Sequence, residues 1–258
     1  KSQPRSRMDK FEEAAGIILA AENLVVFTGA GSCTDSGIPD YRGVGINYWS
    51  KYNPNDFIFQ QFMRSEDSRR EYWRMDQGFY ELVKNAQPNQ IHYALAELER
   101  RGKLGAIITQ NVDGLHQKAG SSPAKVIEIH GNIFTVNCLQ CCKKYPREEI
   151  YNRIKSGVSV PYCSFCHGIL KSDTILFGQP MLQEVSGRAL KATLQSGLFM
   201  VIGSSLLVQP AAYLVLKAKE AKAKIIISGS QFFLLKISLI GFFTFTVIIF
   251  TILLLFNK

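Results

Sequence analysis

Short, unbroken apolar runs alternate along this chain with stretches whose apolar residues recur every three or four positions. The runs at 24–28, 106–109, 126–129, 174–177, 198–203 and 224–228 predict strands. Leu24-Val25-Val26-Phe27 is apolar at successive positions, the mark of a strand covered on both faces inside a parallel sheet. The three- and four-residue spacing predicts helices over 9–21, 92–101, 181–195 and 211–223. Strand and helix patterns in turn predict an α/β fold, a doubly wound parallel sheet with helices on both faces. Segment 134–172 breaks that rhythm, and segment 44–86 is rich in aromatic residues and arginine. The expected organisation is a tail over 1–9, a sheet-built body over 10–133 and 173–228, a small module over 134–172, and an atypical ending over 229–258.

That ending carries 20 uncharged residues at 237–256, between Lys236 and Lys258. As a helix they would span roughly 30 Å, enough to cross a bilayer core. A membrane anchor is then expected to leave the body on the cytosolic side, in keeping with the lysines at 217, 219, 222 and 224. The reading preferred to an anchor is a truncated isoform or read-through product, and a buried replacement element is the third. The first seven residues are basic and lack acid, and are read as a disordered tail rather than the end of a transit peptide.

At 258 residues the chain can bury one large core, or one core and a small satellite. Its formal charge of +9 is scattered rather than gathered into a stripe. That argues against a specific nucleic-acid partner and suits solubility or acidic protein tails. Of six cysteines, four form two Cys-x-x-Cys pairs, Cys138/Cys141 and Cys163/Cys166, with 21 residues between the pairs. Four thiolates satisfy a closed tetrahedral site, so one structural zinc ion and a reducing compartment are expected. Cys33 and Cys142 are left over, and His167 is a minor rival ligand.

The densest chemistry lies in the run from Gly29-Ala30-Gly31 through Thr34, Asp35 and Gly37 to Pro39-Asp40-Tyr41-Arg42. A strand that runs into Gly-x-Gly opens a nucleotide-binding βα unit, because glycines let the backbone approach a pyrophosphate. The third glycine of a dehydrogenase fingerprint is not at its usual spacing here. Further on come Gln110-Asn111-Val112-Asp113 after a strand, His130-Gly131 after another, Phe177-Gly178, and Gly203-Ser204-Ser205. Asn111 and Asp113 are short polar groups at a strand C-terminus, where parallel sheets bind ligands, although capped turns favour them too. His130 has an imidazole suited to taking a proton near neutral pH.

Taken in order, these motifs resemble the sirtuin family over about 10–228. Tyr72-Trp73-Arg74 through Gln87-Pro88-Asn89 and His92 is most similar to the branch holding the mitochondrial sirtuin 4 type and its bacterial relatives. The resemblance implies a Rossmann-like body with a zinc-ribbon insert, and NAD as a consumed co-substrate in removing acyl groups from protein lysines. It implies that His130 is the general base, that Asn111 and Asp113 line the nicotinamide pocket, and that Gln110 meets the ribose. The acyl oxygen would attack as nicotinamide leaves, giving an alkylimidate that His130 helps to resolve. The cofactor contacts carried over are Gly29, Ala30, Gly31, Thr34, Asp35, Pro39, Asp40, Tyr41, Arg42, Gly203, Ser204 and Ser205. A monomer is expected, in the mitochondrial matrix or the cytoplasm, with acylated-lysine proteins as substrates. Protein mono-ADP-ribosyl transfer is the rival activity, and a defective isoform serving as a scaffold is the rival outside enzymes. His92 and His116 are read as structural. Three departures stand out: Cys33 for a usual Ser, Gln179 for a common acid, and Ser172 where Pro often follows the lysine. The family's ribose-binding Asn and last strand are replaced after Ser228, which predicts an exposed sheet edge and weakened NAD affinity.

Overall fold

The computed structural model describes residues 7–40, 52, 57–228 and 242–243. Six parallel strands make the main sheet: β1 (Leu24–Thr28), β2 (Leu104–Thr109), β3 (Val126–Glu128), β7 (Leu198–Ile202), β8 (Lys224–Ser228) and β9 (Phe242–Phe243), in the order β3-β2-β1-β7-β8-β9. The chain lays strands outward from β1 on one side, then returns to lay β7 and β8 on the other. The change of direction beside β1 opens a crevice at the carboxyl ends of β1 and β7, where such sheets bind ligands.

The unbroken apolar runs fold as they do because both faces of the sheet are covered. Leu24 and Val26 join Leu104, Ile107, Leu198 and Met200 in one core, under Ala15 and Ile18 of helix α1 (Arg7–Ala20) and Leu95 and Leu98 of helix α4 (Gln90–Arg100). Val25 and Phe27 point the other way, toward Phe199, Val201, Ala189 of helix α7 (Gln183–Leu194) and Val215 of helix α8 (Tyr213–Glu220). Each fully buried side chain of this kind contributes roughly 1.5–3 kcal/mol.

A second, antiparallel sheet has the order β5-β4-β6, from β4 (Gly131–Cys138), β5 (Lys144–Pro146) and β6 (Leu170–Thr174). It shares one core with helices α2 (Phe59–Arg64), α3 (Glu66–Asn85) and α6 (Arg147–Lys155), through Phe62, Tyr72, Trp73, Phe79, Ile133, Val136 and Ile150. The aromatic stretch and the cysteine-bearing segment thus make a single lobe.

Several expectations need correction. The strand expected at 174–177 is β6 at 170–174, and it belongs to the antiparallel sheet. Its polar residues Lys171, Ser172 and Asp173 hide it from an apolar-run reading. Residues 7–9 lie in α1 rather than in a disordered tail. Helix α4 begins two residues early because Asn89 caps it: its side chain accepts from the Ile91 N–H, and His92 Nδ1 accepts from the Asn89 N–H. Helix α8 is shorter than 211–223, as 211–212 form a turn. In the apolar ending, Phe242 and Phe243 are extended and pair with Ile227 and Ser228 of β8, where a helix and a bare edge were expected. The rest of 237–256 lies outside the described residues. Among those described, no helix is long and apolar enough to cross a membrane.

Candidate active site

The crevice is walled by backbone at van der Waals limits. The Gly29 N–H donates to the Ile202 carbonyl (3.0 Å), and the Gly31 N–H to the Gly203 carbonyl (2.9 Å), so the turn after β1 is laced to the end of β7. Gly203 has φ +62°, and a Cβ there would sit 2.3 Å from the Ser32 nitrogen. Only glycine satisfies both the left-handed backbone and that approach. Ala30 and Gly31 are half-buried at the rim, while Thr34 and Asp35 are exposed on the short helical turns that follow. The Thr34 hydroxyl donates to the Gly31 carbonyl (3.2 Å). Pro39 and Asp40 continue the same segment, half-buried. Tyr41 and Arg42 lie outside the described residues.

From β2, Gln110 and Asn111 reach across to this turn. Gln110 Nε2 donates to Ser204 Oγ (2.8 Å), joining the ends of β2 and β7. Ser205, next in the chain, is exposed. Asn111 shares its amide N–H groups among the Gly29 carbonyl (3.2 Å), Ser32 Oγ (3.0 Å) and Cys33 Sγ (3.0 Å). The Cys33 thiol donates to Asp113 Oδ2 (2.8 Å), and Asp113 Oδ1 accepts from the N–H of Leu115 (3.0 Å), the first residue of helix α5 (Leu115–Lys118). Burial raises the Asp113 carboxyl and pushes the Cys33 thiol well up, the latter reinforced by the neighbouring carboxylate. His92 and His116 are buried alongside, rings 4.9 Å apart, and His116 Nε2 meets Thr28 Oγ1 at 3.1 Å.

His130 follows β3 in the turn to β4, half-buried. Its Nδ1 lies 3.1 Å from the Gln110 carbonyl oxygen. A carbonyl only accepts, so Nδ1 carries the proton and Nε2 keeps its lone pair. Burial lowers its pKa below 6.5, partly opposed by that hydrogen bond. At neutral pH the ring is therefore an uncharged base with a fixed tautomer. Gly131 has φ +73°, and a Cβ there would strike the Asp173 carbonyl of β6, which ties the base to the second sheet.

The four paired cysteines converge in the lobe. Cys138 Sγ is 3.5 Å from Cys166 Sγ, and Cys141 Sγ is 3.7 Å from Cys163 Sγ. All four sulfurs lie within 4.8 Å of one another. Tetrahedral zinc with bonds of about 2.3 Å places its sulfurs roughly 3.8 Å apart, so donor set and spacing both fit. The N–H groups of Gln140 and Cys141 donate to Cys138 Sγ (both 3.4 Å), and Tyr145 Oη is 3.0 Å from Cys163 Sγ. Such bonds orient ligands and temper thiolate charge. Cys142 and His167 are exposed.

The Sir2 family profile matches residues 29–210, from the glycine turn to the segment after β7. This chain belongs to the Sir2 family. It is 42% identical over 224 residues to "NAD-dependent protein deacetylase 1" of Pyrobaculum aerophilum, covering 86% of this chain and 85% of that protein. It is 39% identical over 225 residues to "NAD-dependent protein deacylase 2" of Archaeoglobus fulgidus, covering 86% of each. Among solved structures, "Sir2-p53 peptide-NAD+" superposes with a TM-score of 0.84 at 32% identity, covering 96% of this chain and 98% of the other. "Sir2 bound to acetylated peptide" gives 0.84 at 31% identity, covering 96% and 98%.

Within this Sir2 chain, residues named from sequence on four separate segments meet at one sheet end: 29–31 with 34 and 35; 110, 111 and 113; 130; and 203–205. Ser32 and Cys33 were not named as site residues, yet both bond to Asn111. The one signal for them was the unusual cysteine at position 33.

Proposed function

We propose that this Sir2-family chain is an NAD-dependent protein lysine deacylase, with His130 as its base. The observation that supports this most is the His130 ring, pinned through Nδ1 to Gln110 with its Nε2 lone pair unengaged among the described residues, one residue from Asn111 on the Gly29 turn. NAD supplies a glycosidic bond whose scission releases nicotinamide and leaves an anomeric carbon open to the acyl oxygen. The residues of this chain then divide the labour. Asn111 and Asp113 offer an amide and a carboxyl to the nicotinamide carboxamide. The turn 29–31 with 203–205 lets backbone approach the pyrophosphate and adenosine side, joined by Thr34, Asp35, Pro39, Asp40, Tyr41 and Arg42 along the same segment. Nε2 of His130 takes a ribose hydroxyl proton while Gln110 holds the ring in place. The four cysteines hold zinc and brace the lobe, remote from bond breaking.

The named relatives bear both deacetylase and deacylase in their names and come from archaea, which supports acylated-lysine proteins as substrates. It also supports the cytoplasm over the mitochondrial matrix. The monomeric state and the sirtuin 4-type branch belong to this reading as well.

The test is nicotinamide release from NAD by the zinc-loaded chain, with and without a panel of acyl-lysine peptides. Release is expected to require peptide, to yield free lysine, and to fall by about 10²–10⁴-fold in His130→Ala. Labelled protein without deacylated peptide would move the assignment to mono-ADP-ribosyl transfer. No release from either protein would sink the enzymatic reading and leave a scaffold.

A further inference from the structure

Beside the crevice lies a second constellation of metal-ligating groups. Cys33 Sγ, His92 Nε2 and an Asp113 carboxylate oxygen all lie within 4.8 Å of one another, and all three residues are buried. The sulfur is 3.7 Å from Nε2 and 2.8 Å from Oδ2. One thiol, one imidazole and one carboxyl form a mixed sulfur, nitrogen and oxygen set of the kind that borderline-soft divalent ions take. Neighbours already orient two of the ligands. Asn89 Oδ1 lies 3.0 Å from His92 Nδ1, and the Leu115 N–H holds the Asp113 oxygen not facing the sulfur. Such outer partners fix ring and carboxylate orientation at metal sites. A cleft of about 520 Å³ lined by Asp35, Ser36, Pro88 and Asn89 runs alongside, and Asn89 in its wall touches both Ser32 and His92.

We propose that Cys33, His92 and Asp113 form a second, inhibitory site for a thiophilic divalent metal ion, distinct from the four-cysteine site. On binding, the Cys33 thiol releases its proton to solvent and its sulfur becomes a thiolate ligand. The His92 ring proton moves from Nε2 to Nδ1, where Asn89 Oδ1 accepts it in place of the bond that Nδ1 takes from the Asn89 N–H in the metal-free chain, freeing Nε2 for the metal. Thiolate and carboxylate together cancel the charge of the dication, so the buried complex is neutral and escapes the penalty of an uncompensated ion. Oδ2 must swing away from the sulfur to reach tetrahedral spacing, and the fourth position stays open for water. The ion would draw Asp113 out of the pocket that Asn111 and Asp113 form. Binding stands independently of the deacylase reading; only inhibition rests on it. The site is a property of this chain, because the cysteine stands where sirtuins usually carry Ser.

The experiment titrates the full chain, its four-cysteine site already filled, with Cd²⁺, following bound metal and the ultraviolet thiolate-to-metal absorption. Wild type is expected to take one further equivalent per chain with added thiolate absorption. Cys33→Ser and Cys33→Ala should keep the first equivalent, which also reports an intact fold, and lose the second. Cys142→Ser, which removes the exposed spare thiol, should retain both. His92→Phe should keep the first equivalent and lose the second, and survival of the second there overturns the proposal; Asn89→Ala should weaken the second equivalent by about 10–100-fold. The proposal is overturned if wild type stops at one equivalent, if the second survives in both Cys33 variants, or if it disappears with Cys142. In active protein, nicotinamide release should fall in step with the second equivalent; equal inhibition of Cys33→Ser refutes the inhibitory role alone.

Discussion

Where β1 lies against β7, every side chain from Leu24 to Thr28 and from Leu198 to Ile202 is buried, and Thr28 alone contributes an oxygen. Where α3 lies against β6 and α6, the same depth holds Asp76, Arg147, Lys171 and Ser172. Arg147 pairs with Asp76 at 2.6 Å and lies over the rings of Trp73 (5.3 Å) and Tyr80 (4.7 Å), which cover its guanidinium in place of water. Ser172 Oγ lies 2.9 and 3.0 Å from the two Asp76 oxygens, so the residue that departs from the family's Pro gives that carboxylate a further donor. The sheet is held by apolar burial, which is non-directional and tolerant of small changes. The lobe is held by paired charges and a four-thiolate site, which fail as a unit when one partner goes.

Metal removal should separate the two most. Stripping the four-cysteine site withdraws on the order of 10 kcal/mol of apparent folding energy. Amide exchange should then become fast in β4 and β6 while β1, β2 and β7 stay protected. Simultaneous exchange in both would mean one cooperative unit and would erase the distinction. Next in size is Arg147→Met, which strands the Asp76 carboxylate and should cost about 3–5 kcal/mol in denaturant unfolding. Replacing both as Arg147→Met with Asp76→Leu should recover most of that loss.

The seam between the regions should respond to acid. Burial lowers His92 to about 4 and His116 to about 3, the latter aided by its neighbouring ring. Below pH 6.5 the unfolded chain therefore binds protons that the folded chain refuses, and stability falls as pH falls. The pair should account for roughly 2–3 kcal/mol between pH 6 and pH 5, read from denaturation midpoints against His92→Gln and His116→Gln variants. Smallest is Ile107→Val in β2, expected to cost about 0.5–1.5 kcal/mol. A much larger loss would show the sheet to be as exacting as the lobe.

The same contrast explains what could be read from sequence. Strands β1, β2, β7 and β8 announce themselves because burial on both faces demands unbroken apolar runs. Strand β6 does not, because its polar residues are satisfied by partners far along the chain: Ser172 by Asp76, 96 positions away, and Asp173 by Asn137, 36 away. At the candidate site, Gly29, Gly31, Asn111, Asp113 and His130 are legible because strand ends, glycines and short polar groups travel together in local motifs. The Cys33 contacts with His92 and Asp113 join residues 59 and 80 positions apart, and no local pattern announces them.

Lys171 sits deep in the lobe with its amine donating to the Ser172 and Thr174 carbonyls, and burial lowers its pKa to about 8. An amine so enclosed cannot meet an acyl donor while β6 keeps its place. In a protein proposed to erase acyl marks from lysines, a mark found on this side chain would record a lobe that had opened.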